Sequence, residues 1–226
     1  MKSSFTIIVI LSVLFVGQIA ATGAAEKMDA DIIVEKSRIV IEEMIRSPDN
    51  ELALDLIKKS AGLAIIPGML KAGFVLGGSY GKGVILAHRD GRWTGPAFVY
   101  IWAGSLGLQI GVQSTDLILV VMGQKAMRSF LKSKFKLGGD VAFAAGPIGA
   151  RASASTEILL RGGIYSYSRS KGLFAGGSLE GAGMGTDFEL NRAYYTTTVN
   201  PDKILYEEVV TLPTGKKLIE TLSQIQ

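Results

Sequence analysis

The chain has 226 residues, a formal net charge of +4, one histidine and no cysteine. This length is enough for one substantial domain with a full core. The lack of cysteine excludes disulfides and thiol chemistry, and the single histidine, His88, excludes metal sites that need several histidines. Because the net charge is small, an electrostatic function would require local clustering of charged residues.

The first 25 residues have the pattern of a secretory signal peptide. Lys2 is followed by an uncharged apolar run at 5–19 and by small residues at 20–25. The run is short for a membrane-spanning helix, which needs about 20 residues. The sequence therefore predicts a signal peptide, residues 1–25, that is cleaved near Ala25, and a periplasmic or secreted protein.

Residues 26–60 are predicted to form a helical segment. Apolar and charged residues recur over 29–46 with the period of an amphipathic helix. Ser47-Pro48 suits the cap and first position of a second helix, which we expect to end near Ser60. This segment is expected to form one structural unit with residues 61–226.

From residue 61 onward, short apolar runs separated by glycine indicate strands and turns. Arg89-Asp90-Gly91 is a turn signal that predicts a β-hairpin. Strict alternation at 105–113 predicts a strand with one buried face, and the apolar run at 116–122 predicts a strand covered on both faces.

The second half of the chain is predicted to begin and end with helices. A short amphipathic helix is expected at 124–133, strands from 140 to about 199, and helices opening at Pro201 and Pro213. The predicted fold class is α+β: a glycine-rich, curled antiparallel β-sheet or partial barrel, flanked by N- and C-terminal helices.

The sharpest local signal is a basic segment without acidic residues, which lies between Asp116 and Asp140. Its cations are Lys125, Arg128, Lys132, Lys134 and Lys136. Such a cluster suits docking on anionic lipid, at about 1 kcal/mol for each basic residue close to the membrane. The alternative is that the apolar side of the helix packs on the sheet while the cations are only a solvated face.

Two glycine motifs resemble nucleotide-binding loops but fail on spacing. The segment at 77–83 lacks the glycine and the Ser or Thr that a phosphate-binding loop requires, so we expect a turn with Lys82 exposed. The segment at 181–185 lacks the spacing of a dinucleotide fingerprint and is predicted to be a tight bend.

Catalysis has little support in the sequence. His88 lies beside Arg89 and Asp90 at a predicted turn, where it is expected to be a surface residue. A hydrolase that uses His88 is therefore only a remote alternative. A second alternative is an outer-membrane β-barrel, although the aromatic content of 8% is low for the girdles of such barrels.

Four stretches of the chain resemble the SYLF family, which is also called the Ysc84-type actin-binding or lipid-binding domain. They are PGMLKAGFVLGGSYGKG (67–83), DLILVVM (116–122), KLGGDVAFAAGPIGA (136–150) and YSYSRSKGLFAGGSLEG (165–181). Their order and spacing also fit, and the similarity covers about 61–195.

This resemblance implies a non-enzymatic protein that binds membrane phospholipids, with phosphoinositides as the ligands of eukaryotic members. It adds Lys82, Arg169 and Lys171, which lie inside the matching motifs, to the candidate lipid-binding residues. Actin, a partner of fungal members, is not expected here because export is predicted. A peripheral association with an anionic membrane is expected, with no cofactor, metal or nucleic acid.

Overall fold

The computed structural model describes residues 2–73, 76–106, 111–147, 163–170, 173–176, 179, 181–207 and 212–225. Its α-helices are α1 Lys2–Arg46, α2 Glu51–Lys59, α3 Gln124–Met127, α4 Phe188–Tyr195, α5 Pro201–Tyr206 and α6 Pro213–Ser223. Single 3-10 turns lie at Pro48–Asn50 and Arg128–Leu131. The strands are β1 Gly62–Gly73, β2 Leu76–Arg89, β3 Arg92–Leu106, β4 Gly111–Val121, β5 Lys134–Lys136, β6 Phe143–Ala145, β7 Ile164–Ser170, β8 Leu173–Gly176 and β9 Gly183–Thr186.

These strands form one curled sheet, so the predicted α+β class is confirmed. The order across the sheet is β5-β9-β3-β2-β1-β4-β7-β6, and β8 also pairs with β7. The pairs are antiparallel except for β6 with β7, which is parallel. The expected all-antiparallel sheet is therefore wrong at this one edge.

The β2–β3 hairpin was predicted correctly. Arg89 pairs with Arg92, and the two residues between them, Asp90 and Gly91, have φ values of 50° and 72°. A turn with two positive φ values matches the twist of the flanking strands, and Asp-Gly is favoured there. The run at 116–122 is also confirmed as covered on both faces, because Leu117 to Val121 are fully buried.

Two local predictions were wrong, and a third was right in type but too long. The two ends of the alternating run at 105–113 belong to different strands, since 105–106 pair with β2 and 111–113 pair with β1; residues 107–110 lie outside the described residues. Lys82 lies inside β2 rather than in a turn. The short helix expected at 124–133 is present but ends earlier: one turn of α-helix at Gln124–Met127 continues as the 3-10 turn Arg128–Leu131, before β5 begins.

The prediction of strands up to about residue 199 fails at α4. Asp187 caps this helix, because its carboxylate accepts a hydrogen bond of 3.0 Å from the Leu190 N–H. The helix is then fixed to β3 by Asn191, whose side chain accepts a hydrogen bond from the Phe98 N–H and donates one to the Phe98 carbonyl. The Asn191 side chain is fully buried in this position.

The long helix α1 packs against α4, α6, β1 and β2. It continues through the predicted cleavage zone near Ala25, so the signal peptide and the division at residues 25 and 60 stay predictions. Among the residues that the structure describes, no helix is both long and apolar enough to cross a membrane.

A bulge in β1 is held by an ionic cluster that reaches α1. Gly68, with φ of 61°, donates its N–H to Asp116 Oδ1 at 2.8 Å. The other oxygen of Asp116 accepts hydrogen bonds from Arg169 on β7, at 2.9 and 2.6 Å. Arg169 also forms an ion pair with Glu43 of α1. The cluster therefore ties the first helix to three strands.

We predict that Gly83→Ala destabilises the protein by about 2 kcal/mol. A Cβ at this position would overlap the Ile65 carbonyl oxygen and lie 2.7 Å from the Ile66 Cα. Both atoms belong to the backbone of β1, so the strand pair would have to separate. The free energy of unfolding in urea measures the effect.

Gly104→Ala is the matched control, because a Cβ added at Gly104 meets no atom within 4 Å. Its free energy of unfolding should stay within about 0.5 kcal/mol of the wild type. Equal stabilities of the two variants would contradict the close approach of β1 and β2.

Candidate functional site

One face of the sheet carries a row of residues that crosses five strands and includes exposed apolar and aromatic side chains on three of them. Leu70 lies opposite Tyr80, and Tyr80 lies opposite Trp102. Trp102 and Lys136 both pair with Gly183. Directly opposed residues share a face of the sheet, so the row runs from Lys136 to Leu70 over about 19 Å.

A second row lies beside the first on the same face. Lys82 is opposite Tyr100, and Tyr100 and Lys134 both pair with Gly185. The rings of Tyr100 and Trp102 are stacked, with centroids 5.5 Å apart and planes inclined by 27°. We call Leu70, Tyr80, Tyr100 and Trp102 the aromatic face.

Two glycines of β9 provide the space for these rings. A Cβ at Gly183 would overlap the Trp102 ring, and one at Gly185 would lie 2.9 Å from the Tyr100 ring and hydroxyl. The rings therefore lie on the backbone of β9 and extend toward β5. The prediction of a tight bend at 181–185 is wrong for residues 183–185, and the turn is confined to Gly181, with φ of 82°.

The aromatic face is unusually exposed for residues of its type. Leu70 is 54% exposed, Tyr80 50% and Trp102 37%, while Tyr100 is half-buried. On the same strands toward α4, the face becomes buried, as Phe98 has no exposed surface. The exposed part of this face thus begins beyond the residues of β3 on which α4 packs.

The five cations of the predicted basic segment lie at the β5 end of the sheet, and all are exposed. We call Lys125, Arg128, Lys132, Lys134 and Lys136 the basic edge. In β5, Lys134 and Lys136 point to the same side as the aromatic face, whereas Phe135 between them is buried against Phe130. Within the described ranges, none of the five cations forms an ion pair.

Lys82 is placed differently from the basic edge, because its charge is matched inside the molecule. Its Nζ lies 2.8 Å from Asp187 Oδ2, and Asp187 is the buried cap of α4. Burial opposes the charge of Lys82, but the hydrogen bond and the negative charge of Asp187 outweigh it and raise the pKa of Lys82. This lysine therefore secures the junction between β2 and α4.

The remaining two candidates are not joined to this site by the structure. Arg169 lies on β7, six strand spacings from β5, or about 29 Å along the sheet. There it is engaged with Asp116 and Glu43. Lys171 lies outside the described residues.

A further cation, Arg89, lies at the turn end of the β2–β3 hairpin. The Arg89 guanidinium lies over the Tyr206 ring, 5.7 Å from its centroid. The buried Tyr206 hydroxyl has no hydrogen-bond partner among the described residues. Burial raises the pKa of Tyr206, and the positive charges of Arg89 and Arg128 act in the opposite direction.

His88 is half-buried rather than a surface residue. Its ring stacks on Trp93 with centroids 4.3 Å apart, and its Nδ1 lies 3.1 Å from the Ser60 carbonyl oxygen. In the part of the chain that the structure describes, no three His, Asp or Glu residues come together as a metal site. The arrangement around His88 joins the hairpin to the end of α2.

The sequence identified the basic edge, because its cations are close together along the chain. It did not identify the aromatic face, whose members lie on β1, β2 and β3. One signal was available in the sequence. Tyr100 and Trp102 are two residues apart, and so are Gly183 and Gly185, which is the spacing of residues on one face of a strand. Strand pairing is needed to bring these two patterns together.

Comparison with known proteins gives a family match. The model of the Ysc84 family, described as "Las17-binding protein actin regulator", matches residues 102–225, which is more than half of the chain. The matched region includes the basic edge, β9 and the three C-terminal helices.

Several curated relatives extend the similarity toward the N-terminus. Protein YSC84 of Saccharomyces cerevisiae is 37% identical over 171 residues, covering 74% of this chain and 36% of that protein. SH3 domain-containing YSC84-like protein 1 of Xenopus laevis is 34% identical over 178 residues, covering 77% and 53%. The human protein of that name is 31% identical over 177 residues, covering 77% and 52%.

The chain thus spans about a third to a half of the length of these relatives. A further relative, LAS seventeen-binding protein 3 of Saccharomyces cerevisiae, is named as a binding protein, and the family description names an actin regulator. The family match and these identities confirm the resemblance seen in the sequence motifs. The chain belongs to the Ysc84 family, also called the SYLF family.

Proposed function

We propose that this protein is a non-enzymatic phospholipid-binding protein that docks on the surface of an anionic membrane through the basic edge. The observation that carries this proposal is the exposure of five cations without ion pairs in the described structure. Cations matched by carboxylates inside the protein, such as Lys82 and Arg169, are left out of the docking surface.

The charge of the basic edge is sufficient for weak membrane attraction. Five cations at about 1 kcal/mol each give at most about 5 kcal/mol close to an anionic bilayer. This corresponds to a dissociation constant of roughly 0.2 mM for the interaction. Electrostatic attraction of this kind is screened by salt, with a Debye length of about 8 Å at physiological ionic strength.

The anionic headgroup is the ligand class that this surface fits. Phosphoinositides, which the family resemblance implies for eukaryotic members, are one such class. Exposed lysines recognise phosphate as point charges rather than through fixed bidentate geometry. We therefore expect a graded preference for anionic lipid in general.

A second candidate function is binding to actin filaments. It is favoured by the family description, which names an actin regulator. The initial expectation against actin depends only on the proposed export of the chain. Binding to vesicles and binding to actin filaments can be tested with the same purified protein.

We predict that the protein co-sediments with vesicles that contain phosphatidylserine or a phosphoinositide, and not with pure phosphatidylcholine vesicles. Replacing Lys132, Lys134 and Lys136 by Gln should lower the vesicle partition coefficient roughly 100-fold, because three contributions of about 1 kcal/mol are lost. Raising the salt concentration should also lower the partition coefficient of the wild type, because salt screens the attraction.

The control variant replaces three exposed lysines on helices, Lys36, Lys59 and Lys216, by Gln, which changes the net charge by the same amount. Its partition coefficient should stay within about threefold of the wild type. If both triple variants lowered the partition coefficient equally, the effect would come from net charge and not from the basic edge. Equal binding to neutral and anionic vesicles would also contradict the proposal.

We further propose that the chain is exported and cleaved near Ala25. Full-length protein with a C-terminal tag, produced in a Gram-negative host, should appear in the periplasm with an N-terminus close to residue 26. Leu11→Arg should block export because it places a charge in the apolar run. Intact mass measurement decides the result, and an uncleaved cytoplasmic product of the wild-type gene would contradict export.

For the second candidate, co-sedimentation with actin filaments is the direct measurement. If the membrane proposal describes the main activity, less protein should pellet with filaments than with anionic vesicles at equal protein concentration. Saturable filament binding that survives the Lys132, Lys134 and Lys136 substitutions would instead support an actin-binding function on another surface.

A further inference from the structure

We propose that the aromatic face enters the boundary between lipid headgroups and acyl chains, and that Trp102 is its main anchor. This inference rests on the proposed membrane-binding function and assigns the part of the protein that makes apolar contact. The basic edge would then attract the membrane, and the aromatic face would hold it.

The first support is the continuity of exposed apolar surface. Leu70, Tyr80 and Trp102 are consecutive partners across three strands. Val112, 76% exposed, belongs to the same face, because it pairs with Ala72, two residues after Leu70. A contiguous exposed patch of this kind marks an interaction site more often than single exposed apolar residues do.

The second support is the chemistry of the rings. Tyr80, Tyr100 and Trp102 combine a large apolar surface with a single polar group. Such side chains are enriched at the membrane–water boundary, where one part is apolar and the other remains hydrated. Because β9 has glycine at 183 and 185, the rings of Trp102 and Tyr100 lie on its backbone.

The third support is charge complementarity, which distinguishes a membrane from another occupant. Lys134 and Lys136 lie on the same side of the sheet, next to Tyr100 and Trp102 through the β9 glycines. Asp140 borders this area; its carboxylate accepts a hydrogen bond from the Lys136 backbone N–H, and the Lys136 residue is exposed. An apolar area flanked by cations matches a bilayer with anionic headgroups.

The two tryptophans of the chain permit a direct experiment. Trp93 is buried against His88, whereas Trp102 is on the aromatic face. The Trp93→Phe variant therefore reports on Trp102 alone. On addition of phosphatidylserine-containing vesicles, its emission should shift to the blue, and lipids brominated near the headgroup end of the acyl chain should quench it.

The affinity test uses Trp102→Ala. Its partition into the same vesicles should fall roughly tenfold or more, because a large exposed ring no longer leaves water. Ile39→Ala removes a side chain of similar exposure, 41%, from α1 and should change the partition less than about twofold. If Trp93→Phe does not fold, the wild type and Trp102→Phe can be compared instead. Quenching by brominated lipid that occurs in the wild type and disappears in Trp102→Phe would also assign the quenched emission to Trp102.

The outcomes separate this inference from the function on which it rests. Vesicle co-sedimentation without a blue shift or quenching of Trp102 would overturn the inference and leave membrane binding through the basic edge intact. Absence of co-sedimentation would contradict both. A blue shift that grows with protein concentration in the absence of lipid would assign the face to a second copy of the chain and overturn membrane insertion.

Discussion

The contact between the β9 glycines and the aromatic rings of β3 is the constraint on which the candidate site depends. Gly183 and Gly185 leave no side chain beneath Trp102 and Tyr100, so each ring lies on the backbone of β9. The same two glycines pair with Lys136 and Lys134 on the other side of β9. Larger residues would lift the rings and separate them from the lysines, so the glycine spacing sets both the shape and the charge of the face.

The candidate cations fall into two groups: those that form ion pairs with carboxylates of the protein, and those of the basic edge, on which the proposed membrane docking depends. Lys82 and Arg169 lie beside buried or half-buried carboxylates, where they fix α4 and the β1 bulge. Ion pairs of this kind hold elements in register. The cations of the basic edge have no such partners in the described structure and remain exposed. Among the described residues, five exposed cations without ion pairs thus lie together at one end of the sheet, beside the exposed rings of Tyr80 and Trp102.

Much of the fold followed from local patterns. The Asp-Gly hairpin, the apolar strand at 116–122 and the proline-initiated C-terminal helices were all correctly predicted, because each depends on neighbouring residues. The α4 helix was missed although its Asp187 cap is a local signal, and the contacts that fix it, those of Asn191 with β3, join residues far apart in the chain. The aromatic face was missed for a related reason: Leu70, Tyr80 and Trp102 meet only when three strands pair.

The central claim is that one defined face of the sheet lies against an anionic membrane. Paramagnetic broadening of amide resonances, measured with isotope-labelled protein on phosphatidylserine nanodiscs that carry spin-labelled headgroups, tests it most directly. The account predicts the strongest broadening at Leu70, Tyr80, Trp102 and Lys134, and little at Arg169. Strong broadening at Arg169 or along α1, with the aromatic face unaffected, would contradict it.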